Sequence, residues 1–363
     1  MFALLCQFKK LIANDIFYIR MNKTNGMERR KFIYKGIAAG AIIPAAYATL
    51  LSKEAQASEK KENRQNEAVI ADDIFIEKSL KGRPHEGKVL AVIQPHVDDA
   101  TLFAGGAIAK LISEGYTGYL IRITNDDAAG SGTDGDRVLN NEKDNDQVAK
   151  VLGLKKVYNL GYRNHRMDEY NTQEIKGRLI FLFRLLKVDT IFSYDPWGHY
   201  EENPDHYVTA QAVEAARWMS GSVDYPEQLD VVKPHAVNER YYFARGPQLV
   251  NRIVDISKYI DIKVQSNVVI TTQGPGGANG SKIKKSLAEK GKKLPILGDT
   301  DESADFNYVK HFVLDKDSQA QRGTPSDKEI GKKYGLEWAE AYHYIGNPVS
   351  TLSDYIENNA VNK

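Results

Sequence analysis

Between residues 88 and 219, short apolar runs alternate with longer segments whose apolar residues recur at helical spacing. Strands are predicted near 88–94, 117–124, 155–159 and 188–194, and helices near 103–115, 138–152, 172–187 and 205–219. Ile180, Leu182, Phe183, Leu185 and Leu186 illustrate the helical apolar face. Such alternation strongly limits the fold. Each parallel strand pair needs a crossover, and crossovers are right-handed. The expected class is α/β, a Rossmann-like three-layer fold with a mostly parallel sheet. A further strand is expected at 239–245, followed by a C-terminal β and loop extension. The glycine-rich run Gly274 to Gly280 marks a loop or hinge. Residues 281–330 are polar, without a readable period, and fit either a lid or an ordered insertion.

Two of the predicted strands end in polar clusters. Val89 to Ile93 runs into Pro95-His96-Val97-Asp98-Asp99, and the small-residue helical run Leu102 to Ala109 follows. Thr190 to Tyr194 runs into a loop, Asp195 to His206, and then into the helical run Tyr207 to Val213. In open α/β sheets, ligands bind at the carboxyl ends of strands. An isolated His-x-Asp-Asp would be an ordinary turn with a helix N-cap. Paired with a second strand-end histidine, it becomes a candidate metal site. His96, Asp99 and His206 supply two imidazoles and one carboxylate with a position left for water, the donor set of a catalytic zinc centre. A second carboxylate beside them can take a proton from the water.

With these residues in place, the chain resembles the LmbE-like (PIG-L) family of zinc N-deacetylases. The family's His-Pro-Asp-Asp-Glu corresponds to His96-Val97-Asp98-Asp99-Ala100, and its His-Pro-Asp-His to Asn203-Pro204-Asp205-His206. Val151-Leu152-Gly153-Leu154 and Tyr158 to Arg163 resemble intervening family segments. Val254 to Ser257, Lys263 to Gln273 and Ala339-Glu340-Ala341-Tyr342 resemble its C-terminal landmarks, so the likeness spans about residues 86–345. It implies one divalent ion, Zn2+, held by His96, Asp99 and His206, with Asp98 as the general base. The implied reaction is removal of an acetyl group from an N-acetylated sugar of the N-acetylglucosamine type by zinc-activated water.

The departures from the family pattern matter. Ala100 stands for the first motif's Glu. Asn203 stands for the His that in the family assists the tetrahedral intermediate or the leaving amine. Asn141 aligns with a family Arg and Ile270 with a C-terminal His. His199 or His165 is therefore expected as the auxiliary polar group, with Asp205 orienting one of them or His206. Asp126, Asp127, Arg163 and Asn203 are expected near the substrate, with Arg166 a further candidate. His311 and His343 sit in no motif. The loop Ala128 to Gly135 lacks the Gly-Lys-Ser/Thr ending of a phosphate-binding loop. Two other readings stay open: a metal-dependent hydrolase of an ester or phosphoester, and a degenerate member that binds glycans without turning them over.

The N-terminus has its own pattern. Met27 to Ile33 carries Arg29-Arg30, the run Gly36 to Leu51 is apolar, and Ala55-Gln56-Ala57 has a small-x-small spacing. This resembles a twin-arginine signal over 27–57, with residues 1–26 a mis-called extension. Residues 58–85 read as a polar linker, 86–345 as the catalytic domain and 346–363 as a tail. The expected location is periplasmic or secreted. The run of about 16 residues contains Pro44 and falls short of the roughly 20 a permanent span needs, so no lasting membrane anchor is expected. Cys6 is the only cysteine, which leaves any metal to histidine and carboxylate. A formal net charge of +1 gives no sign of a nucleic-acid partner. The expected partner is a small-molecule or glycan substrate.

Overall fold

The computed structural model describes residues 74–222, 231–346 and 351–361. The expected extension and signal segment, Cys6 and most of the expected linker lie outside the described residues. Among the described residues no helix is long and apolar enough to cross a membrane.

Eight strands form one sheet in the order β1-β7-β8-β6-β5-β2-β3-β4. They are β1 (Phe75–Glu77), β2 (Val89–Gln94), β3 (Thr117–Thr124), β4 (Lys156–Tyr162), β5 (Thr190–Tyr194), β6 (Glu239–Phe243), β7 (Arg252–Asp255) and β8 (Ala339–Ile345). Strands β6, β5, β2, β3 and β4 pair in parallel, as do β1 and β7; β8 runs antiparallel to both of its neighbours. Helices α1 (Asp99–Ser113), α2 (Asp134–Leu152), α3 (Thr172–Leu186) and α4 (Pro204–Ser220) supply the crossovers. One core lies on the α1 and α2 face and a second on the α3 and α4 face, so the sheet is sandwiched between helical layers. Strands β2 and β5, buried along almost their whole length, read as continuous apolar runs for that reason.

The C-terminal extension adds β7 and β8 to this same sheet. Between them lie α5 (Ile260–Val268) and the polar stretch, which is helical: α6 (Asn279–Glu289), α7 (Asp301–Tyr308) running on into a π-helical stretch (Val309–Lys316), α8 (Ser318–Arg322) and α9 (Asp327–Lys333). It is therefore an ordered insertion. Phe75–Glu77, within the expected linker, is an edge strand, and the expected tail contains α10 (Thr351–Asn359).

The chain leaves β2 toward β3 on one side, while β5 returns on the other side of β2. The carboxyl ends of β2 and β5 therefore flank the switch point where open α/β sheets bind ligands. Both polar clusters lie there.

Candidate metal centre and active site

Helix α1 begins at Asp99, so residues 95–98 are the turn between β2 and the helix. Asp98 occupies the N-cap position, yet its side chain makes no capping hydrogen bond. The ordinary explanation for an acidic residue there does not apply. Helix α4 has a conventional start: Asn203 is the N-cap and accepts from the Asp205 N–H, and Pro204 occupies the first turn. That start projects Asp205 and His206 inward from the first turn, where both are buried.

The two turns bring three donor atoms together. His96 Nδ1 lies 3.1 Å from His206 Nε2 and 3.3 Å from an Asp99 carboxylate oxygen, and His206 Nε2 lies 3.4 Å from the other Asp99 oxygen. The imidazole–imidazole spacing and the distance from each imidazole to its nearer Asp99 oxygen are close to the roughly 3.3 Å edge of a tetrahedron with bonds of about 2.0 Å, and one donor atom from each of the three residues lies within 4.8 Å of the others. Proton placement strengthens the fit. His96 Nε2 faces Asp205 Oδ2 at 2.9 Å, and His206 Nδ1 faces Glu201 Oε1 at 3.1 Å. Carboxylates only accept, so the hydrogen bond to Asp205 favours the proton of a neutral His96 on its outer nitrogen, and the nearness of Glu201 favours the same for His206. With both rings neutral, as metal ligation requires, the inner nitrogens present lone pairs to each other and to Asp99. Three converging acceptors are mutually repulsive unless a cation sits among them. Asn203 Nδ2, 3.3 Å from His206 Nε2, is a donor that also faces the cluster. The residues present thus fit a divalent ion.

The surroundings lock these ligands. Asp99 accepts from the His96 backbone N–H at 2.8 Å and from the Tyr194 hydroxyl at 2.7 Å. Tyr194 also stacks on His206, with ring centroids 4.2 Å apart. Fully buried Asp205 accepts from His96, from the His165 N–H at 2.6 Å and from the Met167 N–H at 3.2 Å. A grouping of His96, His165 and Asp205 has donor atoms within 4.8 Å of one another. It shares His96 with the first set, and its Asp205 is already committed to those three bonds.

The pKa shifts follow from this crowding. Burial works to raise the Asp99 carboxyl, but the His206 and His96 imidazoles and hydrogen bonds from His96 and Tyr194 hold it well below the usual range. Burial works to lower His96, but Asp99 and Asp205 carry it well above 6.5. A pocket that draws a proton this strongly also draws a cation. Burial, then the Asp99 charge, push Asp98 up to about 7. The two adjacent carboxyls are therefore driven apart, the pattern that separates a ligand from an acid-base group.

A cavity of about 750 Å³ opens over the cluster. His96, Asp98, Asp99 and His206 line its floor, and Asn164, Asn203, Gln273, Asn279, Gln319 and Gln321 place six amide side chains around it, with His165 and Arg245. The insertion thus provides one wall. His165, at φ 60°, is held in that conformation through the Asp205 bond.

Other expected site residues lie elsewhere. His199 is exposed and does not line the cavity. Asp127 accepts from Arg163 Nε at 2.7 Å and from the Asn164 N–H at 3.0 Å, and Asp126 accepts from Arg122 at 3.2 Å. Asp127 and Arg163 thus tie together loops beside the site, while Asp126, buried next to His96 and Asp99, also pairs with the cavity-lining Gln273. Arg166 is exposed, near Glu169. Asn141 accepts from Thr272 and Gln273, holding the loop that presents Gln273 and Gly274. Ile270 is a core residue. Sequence reasoning missed Tyr194, Glu201, Arg245 and Gly274. The position of Tyr194 at the end of β5, the polarity of the loop after it and the glycine-rich run from Gly274 were the available signals.

Gly274 bears on Asp98 directly. It has φ +72°, and a Cβ there would lie 2.5 Å from Asp98 Oδ2. Gly274→Ala is expected to displace the Asp98 carboxylate and strain the loop by about 1–3 kcal/mol. We expect kcat to fall about tenfold or more, since misplacement by about 1 Å can cost 10²-fold, while metal content measured by elemental analysis is unchanged. A variant with normal kcat would show that Asp98 need not sit where it does.

Residues 91–217 match the family described as PIG-L: GlcNAc-PI de-N-acetylase. That interval contains His96, Asp98, Asp99 and His206. The chain is 26% identical over 190 residues to a diacetylchitobiose deacetylase of Thermococcus kodakarensis (strain ATCC BAA-918 / JCM 12380 / KOD1), covering 49% of this chain and 67% of that protein. Its fold is similar to that of N,N'-diacetylchitobiose deacetylase from Pyrococcus horikoshii, solved with its inhibitor MPG. The TM-score is 0.55 at 21% identity, over 81% of this chain and 97% of that one.

Proposed function

We propose that this chain, which carries a PIG-L (LmbE-like) domain over residues 91–217, is a metal-dependent hydrolase that removes the acetyl group from an N-acetylated saccharide of the N-acetylglucosamine type. The observation that carries the reading is the convergence of three acceptor atoms, His96 Nδ1, His206 Nε2 and an Asp99 oxygen, on one point of the cavity floor beside Asp98. Two imidazoles and one carboxylate suit zinc. A bound ion would supply Lewis acidity, lowering the pKa of water and polarising the amide carbonyl.

The remaining steps belong to the chain's own residues. Asp98 takes the proton of the attacking water and returns it to the amine nitrogen as the carbon–nitrogen bond breaks. Asp205 and Glu201 hold the two imidazoles with their lone pairs inward. Asn203, which stands for the family's extra His in sequence, and His165 both line the cavity, and they supply the polar contact to the carbonyl oxygen or the leaving amine. The amide-rich wall supports a neutral, polyhydroxylated substrate: amides both donate to and accept from hydroxyls without demanding a charge.

The bond cleaved is open to a direct assay. Metal-loaded protein should release acetate and free amine in equal amounts from N-acetylglucosamine and its β-linked disaccharide. It should act far more slowly on O-acetyl and phosphate esters of the same sugars. Rapid ester or phosphoester cleavage without free amine would replace this reading by that of another metal-dependent hydrolase. Binding without any turnover would replace it by that of a glycan-binding protein.

A further inference from the structure

The segments Lys263 to Gln273 and Ala339 to Tyr342 resemble family landmarks, yet Lys263, Glu340 and Tyr342 do not line the cavity. They meet in the interior behind it. Lys263, Glu340, Asp327, Arg322 and Tyr342 are all buried, none more than 4% exposed. Lys263 Nζ lies 2.7 Å from Glu340 Oε1 and 2.7 Å from Asp327 Oδ2, and Arg322 Nη2 lies 2.9 Å from Asp327 Oδ1. Two cations and two anions thus form a neutral buried set.

This set acts on the backbone of α1. The Gly106 N–H donates to Glu340 Oε1 and the Ala107 N–H to Glu340 Oε2, each at 2.9 Å. Arg322 Nη1 donates to the Leu102 carbonyl at 2.6 Å. The Tyr342 hydroxyl donates to Glu340 Oε2 at 2.5 Å and lies 3.4 Å from the Phe103 carbonyl. In a regular helix the Leu102 carbonyl pairs with the Gly106 N–H, and the Phe103 carbonyl with the Ala107 N–H. All four groups of two successive rungs therefore have side chains beside them. The helix is continuous from Asp99 to Ser113, and side chains that bond its backbone groups from outside constrain its local direction. The glycine pair makes room: a Cβ at Gly106 would lie 2.7 Å from Ile256, and one at Gly105 would lie 3.1 Å from Lys263 Cγ.

The turn on the N-terminal side of these rungs carries Asp98 and Asp99. Its own groups are also held from outside α1: Asn267 donates to the Thr101 carbonyl at 3.1 Å, and the Ala100 N–H donates to Gln94 at 3.1 Å. We propose that Glu340, with Lys263, Arg322 and Tyr342, is a positioning device that sets the direction of the first turn of α1 and so aims the Asp99 and Asp98 carboxylates. The proposal rests on the reading of Asp99 as a metal ligand. Glu340 acts through the helix backbone and touches neither ion nor substrate. A carboxylate is required because both of its oxygens must accept N–H donors while balancing Lys263. The role accounts for a charged residue at a position with 1% exposure.

Glu340→Gln keeps the shape but turns an NH2 group toward one of the two N–H donors. Tyr342→Phe removes a single hydroxyl and keeps the fold should Glu340→Gln not. Cobalt(II) takes zinc's tetrahedral geometry and, unlike d¹⁰ zinc, absorbs visible light. Loss of an outer partner of a ligand typically weakens metal affinity about 10–100-fold. Because Glu340 acts through the helix backbone and bonds no ligand, we expect Glu340→Gln to shift the cobalt spectrum, to weaken cobalt affinity by less than that factor and to lower kcat with little change in KM. Tyr342→Phe should move the same readouts in the same direction by a few-fold. Wild-type protein that takes up no cobalt overturns the metal reading, and the proposal with it. If the wild type binds cobalt and both variants only melt earlier, with unchanged spectrum, affinity and kcat, the proposal alone is overturned.

Discussion

Asp98→Asn is expected to lower kcat for deacetylation by about 10²–10⁴-fold, the usual cost of losing a general base, with metal content unchanged. Asp98 lines the cavity and sits outside the three converging donor atoms. Its side chain is also free of the capping bond that an acidic residue at a helix start usually makes. Asparagine keeps the size and fits against Gly274, but it cannot accept a proton at neutral pH. Because burial, followed by the Asp99 charge, disfavours the ionised form, the neutral amide should leave the melting temperature of the metal-free protein equal or higher. Retained turnover in the variant would remove Asp98 from the mechanism. Loss of the metal would exchange the roles of the two adjacent carboxylates.

The second large effect is expected at His206. His206→Ala deletes one of three donors, the ring stacked on Tyr194 and the partner of Glu201. Metal affinity should fall by more than the roughly 10–100-fold that loss of an outer partner costs, and activity should become undetectable at equimolar metal. Asp205→Asn provides the graded comparison. It leaves all three donor atoms in place but weakens the acceptor for His96 Nε2, so its loss should lie within that 10–100-fold range. Competition with a chromogenic chelator measures both. Equal losses in the two variants would mean that Asp205 is itself a ligand.

Much of the fold was legible because β2 and β5 are central and buried on both faces, and their crossover helices have clear apolar faces. The start of α1 was placed four residues late, at 103 instead of 99, because the first turn carries Asp99 and Thr101 in place of an apolar periodicity. Strand β8 was harder to read, since its second half is only partly buried. The insertion was unreadable by period, but Ser326-x-x-Glu329 is a capping box that marks the start of α9 in the sequence. His96, Asp99 and His206 were legible as strand-end polar residues. The partners that aim them were not. Asp205 reaches His96 across 109 positions, and Glu340 reaches Gly106 across 234. Such pairs are set by tertiary packing and leave no local pattern. The same holds for the pairs Asp127 makes with Arg163 and with the Asn164 N–H, which polarity alone does not announce.

The central claim is that a single ion held by His96, Asp99 and His206 makes this cavity a deacetylase, and the most direct measurement is a metal-return titration. Protein stripped by a chelator is given zinc in increments, and acetate release from an N-acetylglucosaminide is followed at each step. No turnover is expected at the start, followed by a linear return of activity and a break at one ion per chain. Full activity in the stripped protein, or no break at one equivalent, would contradict it.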